Sequence, residues 1–130
     1  MSKFILPLAA CLFLSSTPAL AGDRHSEDWY NRLWCGLNDG AKAEVVLPDQ
    51  SRADCVTADH VIETKFARDC KHGVGQALHY LVELRKTMPE IQGGVLLIIE
   101  TPEDEKYYRA CERLVSAVTP RLHLWTLRVK

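Results

Sequence analysis

Three residues have types and spacing suited to phosphate chemistry: Asp54, Glu63 and Lys65. Ala58-Asp59 separates two β-branched runs, Arg52 to Thr57 and His60 to Ala67, and reads as the two-residue turn of a hairpin. Thr57 then faces His60. Continued outward, that pairing sets Asp54 across from Glu63 and Arg52 across from Lys65. Residues two apart share a face, so all four project to one side of the sheet. Carboxylates placed opposite each other repel, and the pair destabilises the strand unless something compensates. A divalent cation does so: Mg²⁺ prefers oxygen ligands and is held by one or two carboxylates plus water and substrate phosphate. Mn²⁺ suits the same donors. Lys65 is placed to stabilise an attacking hydroxide or a developing phosphorane charge. Together the three residues make physical sense as a phosphodiester-hydrolysing site. Arg52 reads best as a charge that offsets the acids.

The elements that must position these residues follow from the rest of the pattern. Ser26 reads as an N-cap, with Glu27 and Asp28 in the first turn and Trp29, Tyr30, Leu33, Trp34 and Leu37 at helical spacing as core. Asn38-Asp39-Gly40 stops that helix. Ala43 to Leu47 is a strand, turned by Pro48-Asp49-Gln50-Ser51 into the second strand, so two consecutive hairpins are expected. Ala53, Cys55, Ile62 and Phe66 are expected to fill one face, with Val56 and Val61 on the acidic one. Gly73 to Lys86 reads as a helix with apolar positions Val74, Ala77, Leu78, Leu81, Val82 and Leu84. Val95 to Ile99 is a continuous apolar run, as in a strand buried on both faces. Thr101-Pro102-Glu103-Asp104-Glu105 starts a further helix lined by Tyr108, Cys111, Leu114 and Val115, and Arg121 to Val129 reads as a last strand. The order α-β-β-β-α-β-α-β predicts an α/β (α+β) fold, one mixed sheet flanked by helices.

The chain has 130 residues, with 47% apolar and 25% charged, an ordinary globular balance for one domain. Residues 1–21 have the pattern of a secretory signal peptide: Lys3, the apolar run Phe4 to Leu14, and Ala19-Leu20-Ala21 as the cleavage site. Leu8-Ala9-Ala10-Cys11 also resembles a lipobox, with Cys11 as the lipidated residue, as a minor alternative. A single domain over 22–130 is expected, periplasmic or secreted, without a transmembrane segment. The net charge of −1 gives no broad nucleic-acid surface, so any such contact must be local. Lys71 and His72 could steer a phosphate backbone. Cys35, Cys55, Cys70 and Cys111 allow up to two disulfides, with three connectivities open. There is no Cys-x-x-Cys pair for zinc, and the histidines show no metal-binding spacing.

Asp54, an eight-residue gap and Glu63-Thr64-Lys65 resemble the Asp…Glu-x-Lys signature of the PD-(D/E)XK nuclease superfamily. Gln76-Ala77-Leu78-His79-Tyr80 on the next helix resembles the Gln-hydrophobic-x-x-Tyr motif of RecB-type nucleases. The element order is also that of the restriction-endonuclease-like core, and the resemblance covers roughly Ser26 to Ile99. It implies that Asp54 and Glu63 are metal ligands, with Glu44 completing the acidic set, and that Lys65 is the catalytic lysine. It places Gln76 near the active site, and Tyr80 as its support or a substrate contact. The implied activity is Mg²⁺- or Mn²⁺-dependent cleavage of nucleic acid, DNA first, by an exported enzyme that could act as a homodimer. Export, small size and slight negative charge depart from the superfamily's usual pattern. The alternative is a catalytically inactive exported protein using the same scaffold to bind a partner.

Overall fold

The computed structural model describes residues 24–130; the expected signal peptide and Cys11 lie outside this range. The elements in order are α1 (Glu27–Gly36), β1 (Lys42–Val46), β2 (Arg52–Val56), β3 (His60–Phe66), α2 (Cys70–Leu84), β4 (Gln92–Ile99), α3 (Glu105–Ala117) and β5 (His123–Arg128), with single 3₁₀ turns leading into α2 and α3. One five-stranded mixed sheet runs β1-β2-β3-β4-β5. The first three strands are antiparallel; β3, β4 and β5 are parallel. The α+β fold and the expected element order are both present.

Helices cover both faces. Val61, Val95, Leu97 and Ile99 pack against Val74, Ala77, Leu81 and Leu84 of α2 and Cys111 and Val115 of α3. Cys55, Ile62 and Leu96 pack on the other face against Cys35 of α1, with Trp34 and Trp125 alongside. β4 is buried along seven of its eight residues, as its unbroken apolar run requires. Two disulfides resolve the open connectivity: Cys35–Cys55 ties α1 to β2, and Cys70–Cys111 ties α2 to α3. Among the described residues, no helix is long and apolar enough to cross a membrane.

Four expectations need correction. α1 buries Tyr30 as expected, together with Asn31 and Cys35, and Trp34 packs beside Cys55, whereas Trp29, Leu33 and Leu37 are exposed, so only part of the expected stripe faces inward. Val82 likewise points outward from α2. Ala53 does not share a face with Cys55: Ala53 joins the α2-side core and Cys55 the α1-side core. The strand turns over between them, beside Glu44, whose φ of +57° departs from extended backbone. Finally, Arg52 does not face Lys65. It lies 3.9 Å from Glu44 on β1, and the β2–β3 pairing stops before reaching it.

Candidate functional site

The β2–β3 hairpin has the register expected from its turn: Thr57 N donates to His60 O, and Cys55 pairs with Ile62. In this antiparallel pattern the next rung would send the Thr64 amide to the Ala53 carbonyl. It goes instead to Asp54 Oδ2, at 2.7 Å. One rung further the Phe66 amide donates to Glu27 Oε2, at 3.0 Å. Two carboxylates thus replace β2 as acceptors along the edge of β3. The strands part there, and the space between them is the site.

Asn31 holds the parting open. Its Nδ2 donates to the Asp54 carbonyl at 2.7 Å, and its Oδ1 accepts from Thr64 Oγ1 at 2.7 Å. Asn31 and Thr64 are each 1% exposed, so both bonds are shielded from water and each partner depends on the other. Four residues after Asn31, the Cys35–Cys55 bridge fixes α1 against the residue next to Asp54. The result is a cleft of about 230 Å³, lined by Glu27, Asp28, Asn31, Glu44, Asp54 and Thr64.

Glu63 is 2% exposed. Lys65 Nζ lies 3.6 Å from Glu63 Oε1 and 3.4 Å from Glu27 Oε1, so one ammonium faces two carboxyls. The lysine stem has a tight seat: a Cβ at Gly73 of α2 would come within 2.7 Å of Lys65 Cγ. Glycine permits this approach of helix to strand.

Electrostatics set the proton inventory. Burial, then the Asp54 charge, pushes the Glu63 carboxyl up to about 9, despite Lys65. Burial also raises Asp54, against the Thr64 amide bond that favours its charged form. Glu44 is raised by burial and then by Asp54. For Lys65, burial opposes the charged form, but Glu27 and Glu63 outweigh it and the net shift is upward. At neutral pH Glu63 therefore holds a proton beside Asp54. Its Oε2 is buried without a hydrogen-bond partner.

α2 contributes the remaining expected residues. Tyr80 is 8% exposed. Burial, then the Glu63 and Asp54 charges, lifts its hydroxyl to about 12. Gln76 lies one turn earlier on the same helical face, with its Oε1 buried and unpartnered. The structure thus gathers Asp54, Glu63, Lys65, Glu44 and Tyr80, and sets Gln76 beside them on α2. Lys71 and His72 are exposed, and His79 Nε2 pairs with Asp49 Oδ2 at 2.7 Å, away from the cleft.

Sequence reasoning missed Glu27, Asn31, Thr64 and Gly73. Glu27 read only as a helix-start acid. Its signal was the four-residue spacing to Asn31, which stacks both on one helical face.

The donor set fits Mg²⁺ or Mn²⁺ by chemistry: hard carboxylate oxygens in excess over cations, and one buried carboxyl oxygen lacking a partner. Among the described residues, no three acidic, histidine or cysteine side chains converge on one point. Mg²⁺ retains several waters and is often held by only one or two carboxylates. In comparisons with family models, curated proteins and solved structures, nothing matches this chain.

Proposed function

We propose that this protein is an exported, metal-dependent phosphodiesterase acting on nucleic acid, DNA first, through the acidic and lysine side chains where β2 and β3 part. The observation that carries this reading is the buried Glu63 carboxyl, with one oxygen unpartnered, set beside both Asp54 and the Lys65 ammonium. Asp54 and Glu63 would hold the cation, with Glu44 adjoining. Bound there, Mg²⁺ or Mn²⁺ would neutralise phosphate charge and acidify water. Lys65 would stabilise negative charge on the attacking oxygen and the phosphorane, oriented by Glu27. Tyr80 keeps its proton at all working pH values and so donates a hydrogen bond rather than acting as a base. Gln76 would offer its amide to the substrate side. Two disulfides support an oxidising destination, periplasmic or extracellular.

A nuclease assay on oxidised protein with Mg²⁺, Mn²⁺ or chelator tests the reading. Wild type is expected to cut only with metal, and Lys65→Ala to lose at least about a hundredfold in rate while still gaining thermal stability from metal. Cutting by Lys65→Ala at the wild-type rate rejects the assignment.

Two observations favour the non-catalytic alternative: Lys65 is already flanked by two carboxyls, and among the described residues no three ligands converge. A folded protein whose unfolding temperature ignores both metals, and which cuts no substrate, decides for that scaffold role.

A further inference from the structure

The proposed cleft has an unsolved electrostatic problem. Its walls carry Glu27, Asp28, Glu44 and Asp54, and the whole chain is slightly acidic. A polyanion needs a cationic path to reach it. Two residues beyond Lys65, the chain enters a second depression, a groove of about 640 Å³ between the start of α2 and α3. Its rim carries Arg68, Lys71 and Arg113, and no carboxylate lines it. Among the described residues neither Lys71 nor Arg113 is in an ion pair. Arg68 pairs loosely with Asp69 at 3.9 Å, and its guanidinium folds back over the Phe66 ring, 5.2 Å from the centroid, toward the end of β3.

Between these cations the groove is apolar. Tyr107, Ala110 and Leu114 recur at one helical face of α3 and form one wall. The buried Cys70–Cys111 bridge lies at the floor and fixes the two walls relative to each other, so the groove is formed before anything enters it. Apolar walls under a cationic rim do not suit duplex DNA, whose outer surface is sugar and phosphate. They suit a single strand, whose unpaired base offers a flat apolar face while its phosphates meet the rim.

We infer that the groove between α2 and α3 is a binding site for single-stranded nucleic acid: it takes an unpaired base against the wall of Tyr107, Ala110 and Leu114 and the flanking phosphates on Arg68, Lys71 and Arg113. This deepens the proposed phosphodiesterase reading and rests on it for its purpose, because the groove would feed a strand end or flap toward Lys65. Binding itself does not require the chemistry.

The test is fluorescence anisotropy with a labelled oligothymidylate in chelator, on oxidised full-length protein. Wild type should bind the single strand more tightly than the matching duplex and more tightly than an abasic strand of equal length. Lys71→Glu with Arg113→Glu should weaken binding at least about tenfold and flatten the salt dependence by about 0.7 per lost phosphate contact. Ala110→Trp, which fills the groove from an exposed helix position, should weaken the oligothymidylate and spare the abasic strand. Melting curves check that each variant folds. Duplex and abasic strands binding as well as oligothymidylate, with Ala110→Trp silent, overturns the proposal. So does a groove that takes dodecanoate, blocked by Ala110→Trp, but not the oligonucleotide. Groove-dependent binding without cleavage of any substrate keeps this site and removes the catalytic reading. Metal-dependent cleavage unaffected by the groove variants, with binding equally unaffected, removes this site alone.

Discussion

Glu63 is the residue with the largest displacement from its ordinary chemistry. Its unfolded carboxyl titrates near 4.5 and its folded one near 9. The fold therefore favours the proton: this contribution is complete below 4.5 and is lost as pH rises toward 9. In metal-free buffer Glu63→Gln should melt several degrees above wild type at pH 8–9, the gap closing at pH 4–5. A gap that stays constant with pH rejects the protonated state. Glu44 departs from rule in another way. A non-glycine residue at φ +57° within a strand costs about 1 kcal/mol or more, and here it sits on the wall of the cleft. The identities of Asp54, Glu63 and Lys65, and their nearness, were legible because the turn at Ala58-Asp59 fixes the register. Asn31 was not legible. A polar residue buried for the sake of two hydrogen bonds looks, in sequence, like a solvated position between apolar neighbours.

At the scale of elements, the hairpins and the buried strand followed from alternation and from the unbroken run Val95 to Ile99. The inward face of α1 followed only in part. Periodicity favoured Trp29, Tyr30, Leu33, Trp34 and Leu37; Tyr30 is buried and Trp34 packs on the core, but Trp29, Leu33 and Leu37 are exposed, and the helix turns Asn31 and Cys35 inward to meet β2 and β3. The parting of β2 from β3 was equally invisible. It comes from side chains accepting backbone amides, and hydrophobic pattern carries no record of that. The seat of Lys65 against α2 is a property of two elements together. Gly73→Ala should force the helix and the lysine stem apart, costing about 1–3 kcal/mol of stability. It should also lower kcat more than it raises KM, because the ammonium moves while the acidic pair stays. Equal kcat in a variant with lowered unfolding temperature would show that the lysine tolerates the shift.

At the scale of the molecule, the two bridges divide the work. Cys70–Cys111 joins α2 to α3 across 41 residues of sequence, and Cys35–Cys55 joins α1 to β2 across 20. Removing either should cost about 2–4 kcal/mol. Their effects on the cleft should differ. Cys35→Ser with Cys55→Ser frees the helix that carries Glu27 and Asn31, so metal-dependent stabilisation and cleavage should fall together. Cys70→Ser with Cys111→Ser should lower the melting temperature and leave the response to metal intact. A matching loss of metal response in both pairs would mean that the α1 bridge has no special hold on the site.

That α1 bridge also makes folding a test of address. Both sulfurs are sealed from solvent, Cys35 at 1% and Cys55 at 0% exposure, so a reductant reaches the bond only when the chain opens. In a reducing cytosol it would not form at all. A newly made copy would then have its acidic cleft walled on one side by a helix held only by packing and hydrogen bonds, without the covalent tie.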